Sequence, residues 1–362
     1  MLPSAALPPP VSDLSGSATL VGALIAAALV AALGTGVAVG AGPVDAPKDR
    51  GLHHRPTATG GGVAILLGTC LGVILLGTCH QLTASAPLAA ALGLAALMGL
   101  LGAVDDIRDL GPRLKLAAQV ALALAYAALF ARVEALSTPF GPLPLGPVIG
   151  ILGSALWIVV VTNAVNFMDG ANGLSPGAMI LTLGGLGLSA TLGGASGVAT
   201  LALLAAAAGI GFLPWNLPGG RIFQGDAGAL FSSSLFAALV LVAAGRTGEG
   251  AVSLWFGPLA LLVLLTDVFM TLLARARRRA PLLSAHRDHL FQRWLMVRGR
   301  THAGLSLRIW GMTGVLTLAA IGLGLAPVAS RSVIFGLCLV LAVTIWRVLD
   351  HRTRQSGLKP SD

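Results

Sequence analysis

The feature that most constrains this chain is a series of eleven apolar segments, at residues 17–41, 61–80, 86–104, 114–131, 147–165, 175–195, 198–213, 228–245, 251–273, 305–328 and 332–349. Most are close to the roughly 20 residues of α-helix that cross about 30 Å of hydrocarbon. Between them charge is scarce: 23 Lys and Arg and 14 Asp and Glu make up 10% of 362 residues, against 56% hydrophobic, and the mean hydropathy is +0.87. A soluble domain carries about 25% charged residues, so a water-soluble globule is excluded. The expected fold is all-α: a polytopic membrane bundle of about eleven transmembrane helices forming one domain over 17–349, with short tails at 1–16 and 350–362. The glycine-rich sixth segment and the short seventh are counted as two spans, with one broken or re-entrant element as the alternative. Cys70, Cys79 and Cys338 all lie in apolar runs and are odd in number, so no disulfide framework is implied.

The cations give the orientation. With eleven crossings the loops alternate, and 20 of the 23 Lys and Arg fall in one set, leaving Arg132, Arg246 and Arg331 in the other. The positive-inside rule then places the N-terminus outside and the C-terminus in the cytoplasm. The first 47 residues hold no Lys or Arg, so the opening segment lacks the basic flank of a cleavable signal and reads as a retained anchor. The net charge of +9 is largely this asymmetry and calls for no nucleic-acid partner.

Five polar segments interrupt the apolar pattern, and this topology puts all of them on the cytoplasmic side, in loops 43–60, 105–113, 166–174, 214–227 and 274–303. The first combines Lys48, Arg50 and Arg55 with Gly60, Gly61 and Gly62. Cations and free backbone N–H groups suit a phosphate; a flexible basic loop would look the same. The second holds Asp105, Asp106 and Asp109 at the end of the third segment, where adjacent carboxylates point about 100° apart. They read as a site, or as a solvated loop paired with Arg108 and Arg113.

The third places Asn163, Asn166 and Asp169 three residues apart on one helix face, followed by Asn172. Amide oxygens with a carboxylate suit a hard cation such as Mg²⁺; interhelical hydrogen bonding is the alternative. The fourth, Gln224-Gly225-Asp226-Ala227-Gly228, offers Asp226 as a helix cap or as a metal ligand with glycine clearance around it. The fifth carries Arg275 to Arg279, then His286, Arg287, Asp288 and His289. It lacks a third ligand for zinc and reads as phosphate recognition, or as a basic run against anionic lipid. Asp267, inside the ninth segment, either pairs with a loop cation or joins the acidic site.

Val104-Asp105-Asp106 with Lys115 to Gln119, the Asn163 to Leu174 segment, Gly225 to Gly228 and His286 to His289 resemble, in order, the motifs of the polyprenyl-phosphate N-acetylhexosamine-1-phosphate transferases, of glycosyltransferase family 4 type. The likeness spans about residues 45–300 and is nearest the O-antigen-initiating branch. It implies transfer of a sugar 1-phosphate from a UDP-N-acetylhexosamine to undecaprenyl phosphate with release of UMP, using Mg²⁺ or Mn²⁺, at the cytoplasmic face of a bacterial inner membrane. Partners are then the two substrates and membrane lipid, with a homodimer allowed.

By the same resemblance Asn166 and Asp226 hold metal. Asp105 and Asp106 form the acidic pair that acts as nucleophile or base, and Asp169 is a further catalytic carboxylate. Lys48, Lys115, Asn163, Asn172, His286, Arg287 and His289 contact substrate. Asn172 stands where many members have Asp, Ala229 where Ser is usual, and the triple histidine of the phospho-N-acetylmuramoyl-pentapeptide transferases is absent. The rival class is a transporter of an anionic or phosphorylated solute. Transporters set polar sites near the midplane between repeats, whereas these polar groups gather at one face and no matching halves are seen.

Overall fold

A computed structural model describes residues 12–45, 56–81, 85–281, 286–297 and 300–355. All eleven apolar segments are helical: α1 (Ser12–Ala41), α2 (Gly61–Thr78), α3 (Ala86–Arg108), α4 (Pro112–Leu129), α5 (Gly146–Met168), α6 (Leu174–Leu192), α7 (Ser196–Asn216), α8 (Gly225–Ala244), the pair α9 (Phe256–Ala260) and α10 (Leu262–Arg277), α12 (His302–Leu323) and α13 (Val328–Gln355), with a short loop helix α11 (Leu290–Leu295) between α10 and α12. The protein is an all-α polytopic membrane protein. Among the described residues nine helices are long and apolar enough to cross a bilayer.

The other two expected spans differ for visible reasons. Helix α4 opens on Arg113 and Lys115, and the ninth span breaks at Leu261 before α10, which carries Asp267, Arg275 and Arg277. The sixth and seventh segments form two helices joined by a short turn rather than one broken element. Among the described residues two short antiparallel strand pairs accompany the helices: β1 (Val44–Asp45) with β2 (Thr57–Ala58), and β3 (Ala135–Thr138) with β4 (Gly141–Pro144).

Helix α8 is the axis of the bundle. Every residue from Ala227 to Leu241 is buried, enclosed chiefly by α3, α5 and α2. Its three consecutive serines survive there because each hydroxyl bonds a carbonyl one turn back, as Ser232 does to Gly228 O at 2.8 Å. Close approach depends on glycine: a Cβ on Gly62 of α2 would stand 2.0 Å from Gly228 N, and one on Gly102 of α3 would stand 2.4 Å from the Asp226 carbonyl. Both contacts fall at the N-terminal end of α8. The outer helices turn Leu33, Val148, Val315 and Leu337 outward, as lipid-facing surfaces require.

Candidate active site

One turn beyond Gly102, α3 delivers two carboxylates against the start of α8. Asp106 Oδ1 accepts the Asp226 N–H at 2.9 Å and Oδ2 accepts the Ala227 N–H at 3.2 Å. It therefore caps α8 from a neighbouring helix, satisfying N–H groups that have no partner of their own and meeting the positive end of the dipole. Gly225 sits at φ +67°, and a Cβ there would lie 2.3 Å from Asp106 Oδ2. The capping carboxylate fills the space a side chain would need.

Asp105 Oδ1 accepts the Leu110 N–H at 2.8 Å, and Oδ2 accepts from Lys115 Nζ at 2.8 Å. The same ammonium pairs with Asp226 Oδ2, while Asp226 Oδ1 accepts from Asn166 Nδ2 at 2.8 Å. Asp226 is thus where α3, α4, α5 and α8 converge. Asp169 follows the last residue of α5, and its Oδ1 accepts from Gln224 Nε2 at 2.9 Å. Burial lifts the Asp169 carboxyl well above the usual range; Ser175 and Gln224 oppose this by hydrogen bonding, and Asp226 and Asp106 reinforce it by charge.

The turn after Asp169 is clamped by α12. His302 Nδ1 accepts the Asn172 N–H at 3.2 Å, Ser306 Oγ donates to Asn172 O at 2.6 Å, and Trp310 Nε1 donates to Gly173 O at 2.8 Å. These three residues recur every four positions, one face of a helix. From the other side Asn216 Oδ1 accepts the Gly173 N–H.

A cavity of about 570 Å³ opens among these groups. Asp105, Asp106, Asn166, Asp169, Asn172 and Asp226 all line it, with Asp109, Gln224 and Gly225, so residues from the second, third and fourth polar segments come together. Lys115 touches two of them. The remainder lie elsewhere. Asn163 is turned to Gln119 Oε1 at 2.6 Å and Val159 O at 2.8 Å, the interhelical bonding that was its alternative reading. Lys48 falls outside the described residues. His286, Arg287 and His289 do not line the cavity; the His289 ring is buried, 5.0 Å from that of His286, 5.9 Å from Phe291 and 6.2 Å from Phe167 of α5. Burial first, then His289 and Arg275, pushes the His286 ring down to about 4; burial also lowers His289, against the pull of Asp267 and Asp288.

Gln292 and His302 do line the cavity, together with Asp45 and Thr59 from the first loop. Gln292 lies three positions beyond the quoted histidine motif and His302 opens α12, so neither belonged to a recognisable pattern. Asp267 keeps away from the cavity. It accepts the Leu290 and Phe291 N–H groups at 2.9 and 3.2 Å, capping α11 rather than pairing with a loop cation.

Fold and site together define a multi-pass membrane protein that collects carboxylates, amides and a lysine around a cavity at one end of its bundle. The family model "Glycosyl transferase family 4" matches residues 88–244, which hold Asp105, Asp106, Lys115, Asn166, Asp169 and Asp226. The chain is 28% identical over 313 residues to the "Probable undecaprenyl-phosphate N-acetylglucosaminyl 1-phosphate transferase" of Bacillus subtilis, covering 85% of each. It is 29% identical over 351 residues to the "Decaprenyl-phosphate N-acetylglucosaminephosphotransferase" of Mycolicibacterium smegmatis, covering 89% of this chain and 86% of that one. To the "Phospho-N-acetylmuramoyl-pentapeptide-transferase" of a Mycobacterium species (strain KMS) it is 32% identical over 320 residues, 76% of this chain and 85% of the other. The chain belongs to glycosyl transferase family 4 and is a transferase.

Proposed function

We propose that the protein transfers N-acetylhexosamine 1-phosphate from a UDP-sugar to undecaprenyl phosphate, releasing UMP, as the first membrane step of an O-antigen-like cell-surface polysaccharide. The carrying observation is Asp226, held by Lys115, Asn166 and the Asp106 cap at the mouth of the bundle. A lipid phosphate is confined to that depth by its own tail. The 20-to-3 partition of Lys and Arg supports a cytoplasmic site in a bacterial inner membrane.

The donor set fits Mg²⁺. Its oxygens are hard, and Mg²⁺ keeps waters and shares its ligands with substrate phosphate, so it needs few protein oxygens. Asp226 and Asn166 would hold it, with Asp105 and Asp169 beside them. When bound, it neutralises pyrophosphate charge.

In the reaction a lipid phosphate oxygen bonds to the β-phosphorus, and the bond from that phosphorus to the oxygen bridging it to UMP breaks. UMP leaves with that oxygen, and a lipid pyrophosphoryl sugar remains. Lys115, already between two carboxylates, supplies a positive charge at the entering phosphate. Asp106 accepts two backbone N–H groups and Asp105 accepts one N–H and the Lys115 ammonium; in this reading one of the pair takes the proton of a monoprotonated acceptor. Trapping a phosphosugar on the enzyme would instead make an aspartate the nucleophile.

Asp226→Asn is expected to lower Mg²⁺-dependent UMP release from UDP-GlcNAc, with undecaprenyl phosphate as acceptor, by a hundredfold or more, on the order of 3 kcal/mol. Full activity in that variant would remove the metal assignment, and no UMP release by the wild type would favour a transporter. The likeness to pentapeptide transferases supports a second donor, UDP-N-acetylmuramoyl-pentapeptide. Competition between the two donors for the same UMP release decides between them.

A further inference from the structure

Helix α13 runs for 28 residues, yet its buried residues are Trp346, Asp350 and Thr353 alone. They lie at i, i+4 and i+7, one stripe near its C-terminal end, and two of them bond to groups that hold the histidine loop. Trp346 Nε1 donates to Asp267 Oδ1 at 3.0 Å. The same carboxylate accepts the Leu290 and Phe291 N–H groups, so it ties the first turn of α11 to α13.

Asp350 Oδ1 pairs with Arg293, and Arg293 Nε donates to Asp288 O at 3.0 Å. Asp288 is in turn paired with Arg275 of α10 and with Arg278, the residue after its end. The Arg293 side chain is 2% exposed. Buried charge is tolerated only where geometry and hydrogen bonds compensate it, so this pairing fixes how the loop sits between α10 and α13. The held segment, residues 288–293, carries His289 and the cavity-lining Gln292.

We infer that α13 is the strut of the donor-binding loop: Trp346 and Asp350 set the height and rotation of residues 288–293 over the cavity, and thereby donor affinity, without touching donor. They are positioning residues. The inference rests on the reading that this loop contacts the sugar nucleotide.

The test uses the full chain in lipid nanodiscs, with Trp346→Phe, Asp350→Asn and Asp350→Glu. Trp346→Phe and Asp350→Asn are expected to raise KM for UDP-GlcNAc about tenfold, the scale of one lost hydrogen bond to a charged group. The kcat and the KM for undecaprenyl phosphate stay unchanged, and Asp350→Glu recovers most of the loss. Amide exchange in residues 286–297 should quicken in the two deficient variants.

Unaltered exchange there overturns the strut. So does quicker exchange with unaltered donor KM when His289→Ala raises that KM. If His289→Ala and both variants all leave donor KM alone while exchange quickens, the donor-loop reading itself falls, and the strut's role in affinity with it. Trp346→Phe removes one N–H and little volume, so it carries the test if Asp350→Asn fails to insert.

Discussion

His286 and His289 entered the argument as phosphate ligands, and their surroundings change what they can offer. The two rings are 5.0 Å apart, one half-buried and one buried, with Arg275 adding like charge. A proton on either would cost desolvation and repulsion together. At neutral pH both are therefore uncharged, and the positive charge of this loop is that of its arginines. Stability carries the signature. Above the ordinary 6.5 the His286 ring is neutral whether or not the chain is folded. Between 6.5 and about 4 the unfolded chain takes up a proton that the folded loop refuses, so stability falls as pH falls through that window and levels below it. His286→Gln is expected to shrink the fall in Tm from pH 6.5 to 4. If thermal scans show that variant losing as much Tm as the wild type, the ring is protonated in the fold.

At the scale of elements, the site exists because α3 and α2 reach α8 through glycine. Gly102→Ala sets two effects in opposition. Alanine gains about 1 kcal/mol of helix propensity over glycine. Its Cβ would meet the Asp226 backbone at 2.4 Å, and backbone cannot swing aside as a side chain can, so overpacking of about 1–3 kcal/mol wins. Moving α3 also carries the Asp106 cap and the Asp105–Lys115 pair away from Asp226. The expected outcome is UMP release reduced at least tenfold with Tm lowered, whereas Gly93→Ala on the same helix, where nothing lies within 4 Å, should keep activity and hold or raise Tm.

The same elements mark how far the sequence could be read. Acidic residues and asparagines at the ends of apolar runs do come together at one end of the bundle, because lipid leaves them nowhere else to gather. The three-residue spacing of Asn163, Asn166 and Asp169 promised one stripe, of which Asn166 and Asp169 reach the cavity, by different bonds, and Asn163 does not. Asn163 finds Gln119 of α4, Asn166 finds Asp226, and Asp169 lies past the end of α5 at φ −81° and ψ 32°, where helical phase no longer applies. Gln224 and His302 do their positioning through bonds to Asp169 and to the Asn172 backbone. Those partners are 55 and 130 residues distant in the chain, so the motif around Asp226 included Gln224 without revealing its partner, and nothing local marked His302. The break at Leu261 was hidden likewise, since an apolar run reads the same whether its helix is continuous or bent.

For the whole molecule the open quantity is which way the bundle faces. Every polar group of the cavity sits at one end, and the opposite end holds its own ionic cluster, where Glu249 pairs with Arg331 and accepts from Ser137, and Glu134 pairs with Arg132. Both ends are thus polar, and geometry by itself does not orient the chain. Charge sign argues for one direction: in the sequence, 20 of the 23 Lys and Arg fall in the set of loops that includes those of the cavity, and translocating cations is what insertion resists. The β3–β4 hairpin should then stand outside, with Phe140 fully exposed at its tip. Cys79 is exposed at the same end, so labelling needs a Cys79→Ser background. In intact cells a membrane-impermeant maleimide should label Phe140→Cys, and should label Arg279→Cys only after permeabilisation. The reverse pattern would put the cavity outside, where no nucleotide sugar is supplied, and would overturn the proposed reaction with the topology.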